Sequence, residues 1–438
     1  MISRRRFMTT GSLAVAAGAV LGAPGATAPA DEQLNDWRAI RQQFDGLDPT
    51  MTHLGLFYMA SNPRPVRAAI ERYRRQIEAN PLLTIEHANF GNEHNLMDAA
   101  SGAVAQYIGA GAGEIALAQN TTTGLALIYH GLPLTAGDEV LTTVHDHFVH
   151  HEAIRLATER SGAASRRIAL FESHDAISAD GIVERITKAI GPKTRVLGLT
   201  WVHSSTGLKL PLRRIAEAVA SVNAGRPSAK RVLVVVDGVH GIGVEDPAVV
   251  ATGIDAFAAG THKWIFGPRG TGFVWAKPDV WAMMRPIVPS FSSPDLFEAW
   301  AEEKAPRGPA RAAWFSPGGF QAFEHYWALP AAFDFHRRIG SQRVTGRIHD
   351  LNTQVKEGLA KIRGVTLYTP RSKDLSAGIV CFDVKGLTQN QVVHRLLERH
   401  QIVASTTPYR ISYARVAFGL QNTTEEVEKT LAAIRTLT

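Results

Sequence analysis

Between residues 91 and 277, short unbroken apolar runs alternate with stretches of helical spacing, and this alternation restricts the chain to few folds. The clearest runs fall at 139–143, 195–200, 232–236 and 272–276, with others at 115–118 and 254–259. A strand that is apolar at every position has both faces covered. Strands of that kind, separated by helices, form a mostly parallel sheet with helices on either side. Helices are expected at 64–80, where Pro81 ends the run, and at 320–339 and 344–362. Residues 279–317 are richer in proline, serine and charge and read as a crossing segment. Beyond residue 378 the pattern becomes strand, helix, strand, helix, which predicts a small α+β domain beside the large α/β one. The expected division is an arm at 31–63, a large domain at 64–318, and linking helices with the small C-terminal domain at 319–438.

The N-terminus reads as an export signal. Ser3-Arg4-Arg5-Arg6-Phe7-Met8 has the twin-arginine pattern, a weakly apolar stretch follows, and Ala28-Pro29-Ala30 offers small residues for cleavage. Removal of residues 1–30 would leave a periplasmic protein with no membrane anchor. The twin-arginine route carries folded proteins, which suits a chain that must take up a cofactor before export. Loss of the three signal arginines lowers the formal net charge from +7 to +4. That excess is spread along the chain, so no nucleic-acid partner is expected. The single cysteine, Cys381, cannot form an internal disulfide and stands in an apolar run, where core packing is its expected role.

The chemistry centres on Val234-Val235-Val236-Asp237-Gly238-Val239-His240, followed by Gly260-Thr261-His262-Lys263. Three valines place Asp237 at the carboxyl end of a buried strand, where open α/β sheets bind ligands. A carboxylate there needs a cationic partner. The protonated ring nitrogen of pyridoxal phosphate (PLP) is such a partner, and Lys263 after the next strand is a candidate Schiff-base lysine and proton shuttle. His240 is placed to reach a ring substituent. Asn120-Thr121-Thr122-Thr123 follows another apolar run and opens a helix, as a phosphate site requires. Val144-His145-Asp146-His147, with His150 and His151, makes a dense histidine cluster. No thiol or carboxylate set completes a metal site, so no metal is expected. A His147 ring stacked on a planar cofactor is the preferred reading, with His145, His150 and His151 at the surface or behind the site.

In these motifs the chain resembles the class V aminotransferase family, which includes cysteine desulfurases and isopenicillin N epimerases, from about Thr52 to the C-terminus. The resemblance implies fold-type I, the aspartate-aminotransferase-like arrangement, with PLP as cofactor and a homodimer. By the same resemblance Lys263 carries the cofactor, Asp237 pairs with its ring nitrogen, and His147 stacks on the ring. His240 and Ser204 lie near the phenolic oxygen. Thr121, Thr122, Thr261 and His262 serve the phosphate. Arg415, in Arg415-Val416-Ala417-Phe418-Gly419-Leu420-Gln421-Asn422-Thr423, grips the substrate α-carboxylate, a role that suits a planar guanidinium. Three departures stand out. Pro317-Gly318-Gly319 replaces Gly-Thr-Pro, in which the threonine of a partner subunit often touches the phosphate, leaving only the backbone of Gly319 to serve there. Gly260 replaces a hydroxyl residue, for which Thr261 could compensate. The desulfurase cysteine segment reads Ala404-Ser405-Thr406-Thr407-Pro408, which argues against a thiol nucleophile.

The segment 316–329, with the export signal, resembles a periplasmic subgroup that matures siderophores. The expected substrate is therefore an amino acid or a peptidyl amino group, in particular a glutamyl residue of a siderophore-like peptide. A generic aminotransferase or epimerase for a free amino acid is the alternative. A binding protein that keeps the fold without catalysis is disfavoured, because the lysine, aspartate and arginine positions are all filled.

Overall fold

The computed structural model describes residues 34–90, 95–291 and 293–438; the export signal expected at 1–30 lies outside them. The central sheet comprises β1 (Ile115–Ala118), β2 (Glu139–Thr143), β3 (Ala164–Ile168), β4 (Thr194–Thr200), β5 (Leu233–Asp237), β6 (Ala256–Gly260) and β7 (Gly272–Ala276). Their order across the sheet is β1-β7-β6-β5-β4-β2-β3. All pairings are parallel except those of β7, which runs antiparallel to β1 and β6.

The apolar runs explain this sheet. Every residue of β1, β5, β6 and β7 is buried. Val234 and Val236 enter one core together with Leu197, Leu199 and Phe257. Leu233 and Val235 enter the opposite core with Val196, Ala256 and Ala258. Each valine or leucine so buried contributes about 1.5–3 kcal/mol. The edge strand β3, Ala164-Ser165-Arg166-Arg167-Ile168, is largely exposed and polar. Its residues form no apolar run, so nothing in the pattern marked it, and its charges blunt the sheet edge.

A smaller antiparallel sheet follows: β8 (Val365–Leu367), β9 (Val380–Val384), β10 (Ser405–Thr406) and β11 (Ala414–Val416), in the order β10-β11-β9-β8. Helices Ser341–Leu359, Gln389–His400 and Thr424–Arg435 enclose a core around Val380, Phe382 and Val416. Cys381 alternates to the other side of β9 and is fully buried in the main core. The arm is tied to this unit by Thr52–His53, which pairs in parallel with Ile402–Val403. Residues 320–339 form two helices, Phe323–Trp327 and Leu329–Ile339, because Pro330 restarts the helix in its first turn. The crossing segment contains two short helices, Pro278–Met283 and Pro294–Ala301.

Candidate active site

The carboxyl ends of β4, β5 and β6 open onto one pocket of about 420 Å³. Asp237 is the last residue of β5 and is buried, with Thr200 and Ala258 as its register neighbours. Its Oδ1 accepts a hydrogen bond from the Val239 amide at 3.1 Å. Burial pushes the carboxyl group above the usual range, while the Val239 bond and the Lys263 charge oppose that shift. Lys263 follows β6 and lines the same pocket. Burial lowers its ammonium below the ordinary lysine range and the nearby Arg415 charge adds to this, with Asp237 acting in the opposite sense. Its Nζ lies 3.2 Å from His240 Nε2. A buried lysine and a buried carboxylate that perturb each other in a cleft are the signature of a reactive centre.

The helix Thr121–Gly131 points its N-terminus into the pocket. Asn120 caps it, the side chain accepting from the Thr123 amide at 3.0 Å, and Asn120, Thr121 and Thr122 all line the cavity. Thr121 also accepts from the Gly260 amide at 2.8 Å, which ties the helix start to the lysine segment. His262 lines the same wall. Gly260 has a steric reason: a Cβ there would lie 2.8 Å from His262 Cε1 and 3.3 Å from Thr121 Oγ1. The hydroxyl residue of the family pattern would therefore crowd His262.

Two candidates do not line this chain's own pocket. The Thr261 hydroxyl is buried and engaged with Thr271 Oγ1 at 2.6 Å, so it holds the loop after β6 instead of replacing the hydroxyl absent at residue 260. Gly319, with φ of 104°, lines a separate groove beside Phe291 and Trp300.

His147 caps the helix Phe148–Ser161 through a bond from the Val149 amide to Nδ1 at 3.4 Å. That cap orients its ring in the pocket wall. Burial and the Lys263 and Arg415 charges hold His147 down at about 4, so the ring is neutral. Behind it, Asp146 is buried and accepts from the Thr142 and Thr143 hydroxyls and from the Thr143 and Thr200 amides. His150 is also fully buried, 2.7 Å from the Tyr129 hydroxyl, so it belongs to this packed layer and not to the surface.

Ser204 and Arg415 close the opposite side. Ser204 Oγ lies 2.8 Å from the Tyr409 hydroxyl, and its carbonyl accepts from Arg415 Nη1 at 3.3 Å. Arg415, on β11, is buried, and its Nε has no protein partner. Tyr409 also meets the His147 ring edge-on, with centroids 5.9 Å apart. Tyr409, Phe57 and Trp264 carry no motif of their own; only their placement around Arg415, His147 and His240 identifies them. Lysine, buried carboxylate, helix N-terminus and guanidinium lining one pocket together suit a phosphorylated pyridine aldehyde and an amino acid.

The family described as "Aminotransferase class-V" matches residues 59–430. An isopenicillin N epimerase of Amycolatopsis lactamdurans is 28% identical over 92% of this chain and 98% of its own length. A probable cysteine desulfurase of Vibrio cholerae is 25% identical, covering 90% of this chain and 97% of its own. Among solved structures, a mutant of C-DES with glycine covalently linked to its PLP cofactor superposes with a TM-score of 0.78 at 23% identity, covering 90% of this chain and 98% of that one. This last likeness establishes the fold.

Proposed function

We propose, from the premise that this chain belongs to the aminotransferase class-V family of PLP enzymes, that it acts outside the cytoplasm on the amino group or Cα of a glutamyl residue in a siderophore-like peptide, as in pyoverdine maturation. The observation that carries the chemistry is the convergence of Lys263, Asp237 and Arg415 on one pocket. When bound, PLP supplies an electrophilic aldehyde carbon and a ring that accepts the electrons of a bond broken at Cα.

The chain's own residues divide the remaining work. Lys263 would hold the cofactor and would move a proton at Cα; its lowered affinity for a proton leaves more of the neutral amine near neutral pH. Asp237 would pair with the ring nitrogen, and a cation there would offset the burial penalty on its carboxylate. His147 would lie against the ring, while Asn120, Thr121, Thr122 and His262 would hold the phosphate at a helix N-terminus. Arg415, which lines the pocket, supplies a guanidinium to a substrate carboxylate. Cys381 is buried in the core and its thiol is pushed up to about 12, so thiol-based desulfuration is not part of this reading.

The peptide reading draws support from the sequence segments 3–8 and 316–329 and from the pocket mouth. Tyr58 lines the cavity yet is 72% exposed, which leaves room for a chain leading outward from a bound residue. The free-amino-acid reading draws support from the epimerase relative. We further propose a homodimer that covers the groove of Phe291 and Trp300 beside Gly319, together with the exposed Phe320 ring packed on Phe291.

Absorbance of the purified protein tests the cofactor assignment. A visible band is expected with added PLP and is lost in Lys263→Ala. Mass and chiral analysis of a glutamyl siderophore precursor against free glutamate separates the substrates; an unchanged peptide beside altered glutamate removes the maturation reading. Cell fractionation of the native chain and of Arg4→Lys/Arg5→Lys tests export, and light scattering tests the dimer.

A further inference from the structure

His240 is held at both ring nitrogens by two consecutive residues. Trp264 Nε1 lies 3.2 Å from His240 Nδ1, and Lys263 Nζ lies 3.2 Å from His240 Nε2. An indole N–H donates and has no lone pair to accept with. His240 Nδ1 is therefore the acceptor in the first contact and carries no proton. A neutral imidazole has one N–H, which must then sit on Nε2, facing the pocket. Burial, reinforced by the Lys263 and Arg415 charges, holds His240 well below its ordinary range, in agreement with a neutral ring.

The indole has little freedom to give up this contact. Trp264 is 1% exposed and sits in the main core. A Cβ at Gly378 would come within 2.2 Å of Trp264 Cη2, so the ring occupies space that any other residue at 378 would fill. The donor is thus built into the core, and the ring it orients lines the active-site pocket.

We infer that Trp264 is a positioning residue that locks His240 in its Nε2–H tautomer, so that His240 presents a hydrogen-bond donor, never an acceptor, to the cofactor. This rests on the PLP assignment above. In the cofactor-free protein the Nε2–H faces Lys263 Nζ, which accepts it only as the neutral amine, the form that dominates above pH about 8. With PLP bound, the same donor is available to the phenolic oxygen. A donor there withdraws negative charge that would otherwise help keep a proton on the Lys263 nitrogen, and its loss favours that proton.

The test has two independent readings. In cofactor-free protein labelled with 15N at histidine and held at pH ~9, above the Lys263 titration, His240, assigned by the signals missing from His240→Gln, should show an unprotonated Nδ1 and a protonated Nε2. In Trp264→Phe, which keeps an aromatic ring but removes the N–H, both nitrogens should move toward intermediate shifts as the tautomers mix. In PLP-loaded protein, the pH midpoint of the visible band should rise in Trp264→Phe by roughly half a unit or more. In a His240→Gln background, where the amide donates without help from Trp264, the same substitution should leave the midpoint unmoved. A native His240 protonated at Nδ1, or a folded Trp264→Phe protein with native shifts and midpoint, overturns the inference. If Trp264→Phe fails to fold, the native spectrum alone decides. If no visible band forms with PLP, the cofactor reading fails while the nitrogen shifts still report on the lock.

Discussion

The guanidinium of Arg415 lies over the ring of Phe57, 4.1 Å from its centroid. The arm that follows Thr52–His53 thus supports a side chain carried by the small C-terminal sheet. The aromatic face supports the guanidinium where it lines the pocket.

Arg415→Lys keeps the charge but loses the planar fork and the stack. The expected result is a KM increase of about 10- to 100-fold, the equivalent of about 1.5–3 kcal/mol for a charged hydrogen-bonded contact. Cofactor loading, read from the visible band, should be nearly unaffected. An unchanged KM removes Arg415 from carboxylate recognition.

Asp237→Asn separates function from stability. The carboxylate is destabilised by burial before any ring cation arrives, so its neutral replacement should not weaken the cofactor-free fold. Melting of the cofactor-free variant is expected at or above the native temperature, while kcat falls by about 10²-fold or more. A large drop in melting temperature with native turnover contradicts the proposed pairing.

Gly238 follows Asp237 directly, and a Cβ there would lie 1.7 Å from Phe257 Cζ. Phe257 is completely buried and cannot swing aside. Gly238→Ala should lower stability by about 1–3 kcal/mol or more, as overpacking does. It should also weaken PLP binding by displacing Asp237. Urea unfolding midpoints and a cofactor titration measure the two effects.

His150 and His336 are fully buried, and burial holds both down to about 4. Above pH ~6.5 they are neutral whether the chain is folded or not, and add no pH dependence. Between pH ~6.5 and ~4 the unfolded chain binds protons that the folded chain refuses, so stability falls as pH falls through that window. Each group costs up to about 3 kcal/mol by the bottom of it. His336 stacks on Phe266, so His336→Phe should fold and show a shallower decline in melting temperature from pH 7 to 4. An unaltered slope shows that His336 is not held neutral.

The sequence by itself determined the strands that carry the site and the residues at their ends. The apolar runs are local, and β5 ends in Asp237 with Lys263 just beyond β6 because burial on both faces demands those runs and leaves polar residues only at their ends. The lysine, the carboxylate and the threonine turn were therefore legible. Tertiary structure decided what each side chain meets. Thr261 spends its hydroxyl on Thr271, Gly319 turns toward another groove, and Tyr409 reaches Ser204 across 205 positions of chain. Trp264 next to Lys263 reads as a core aromatic until His240 is found against its indole. Periodicity reports which face of an element is buried; it carries no information on which distant side chain arrives there, because that choice is made by the packing of the whole core.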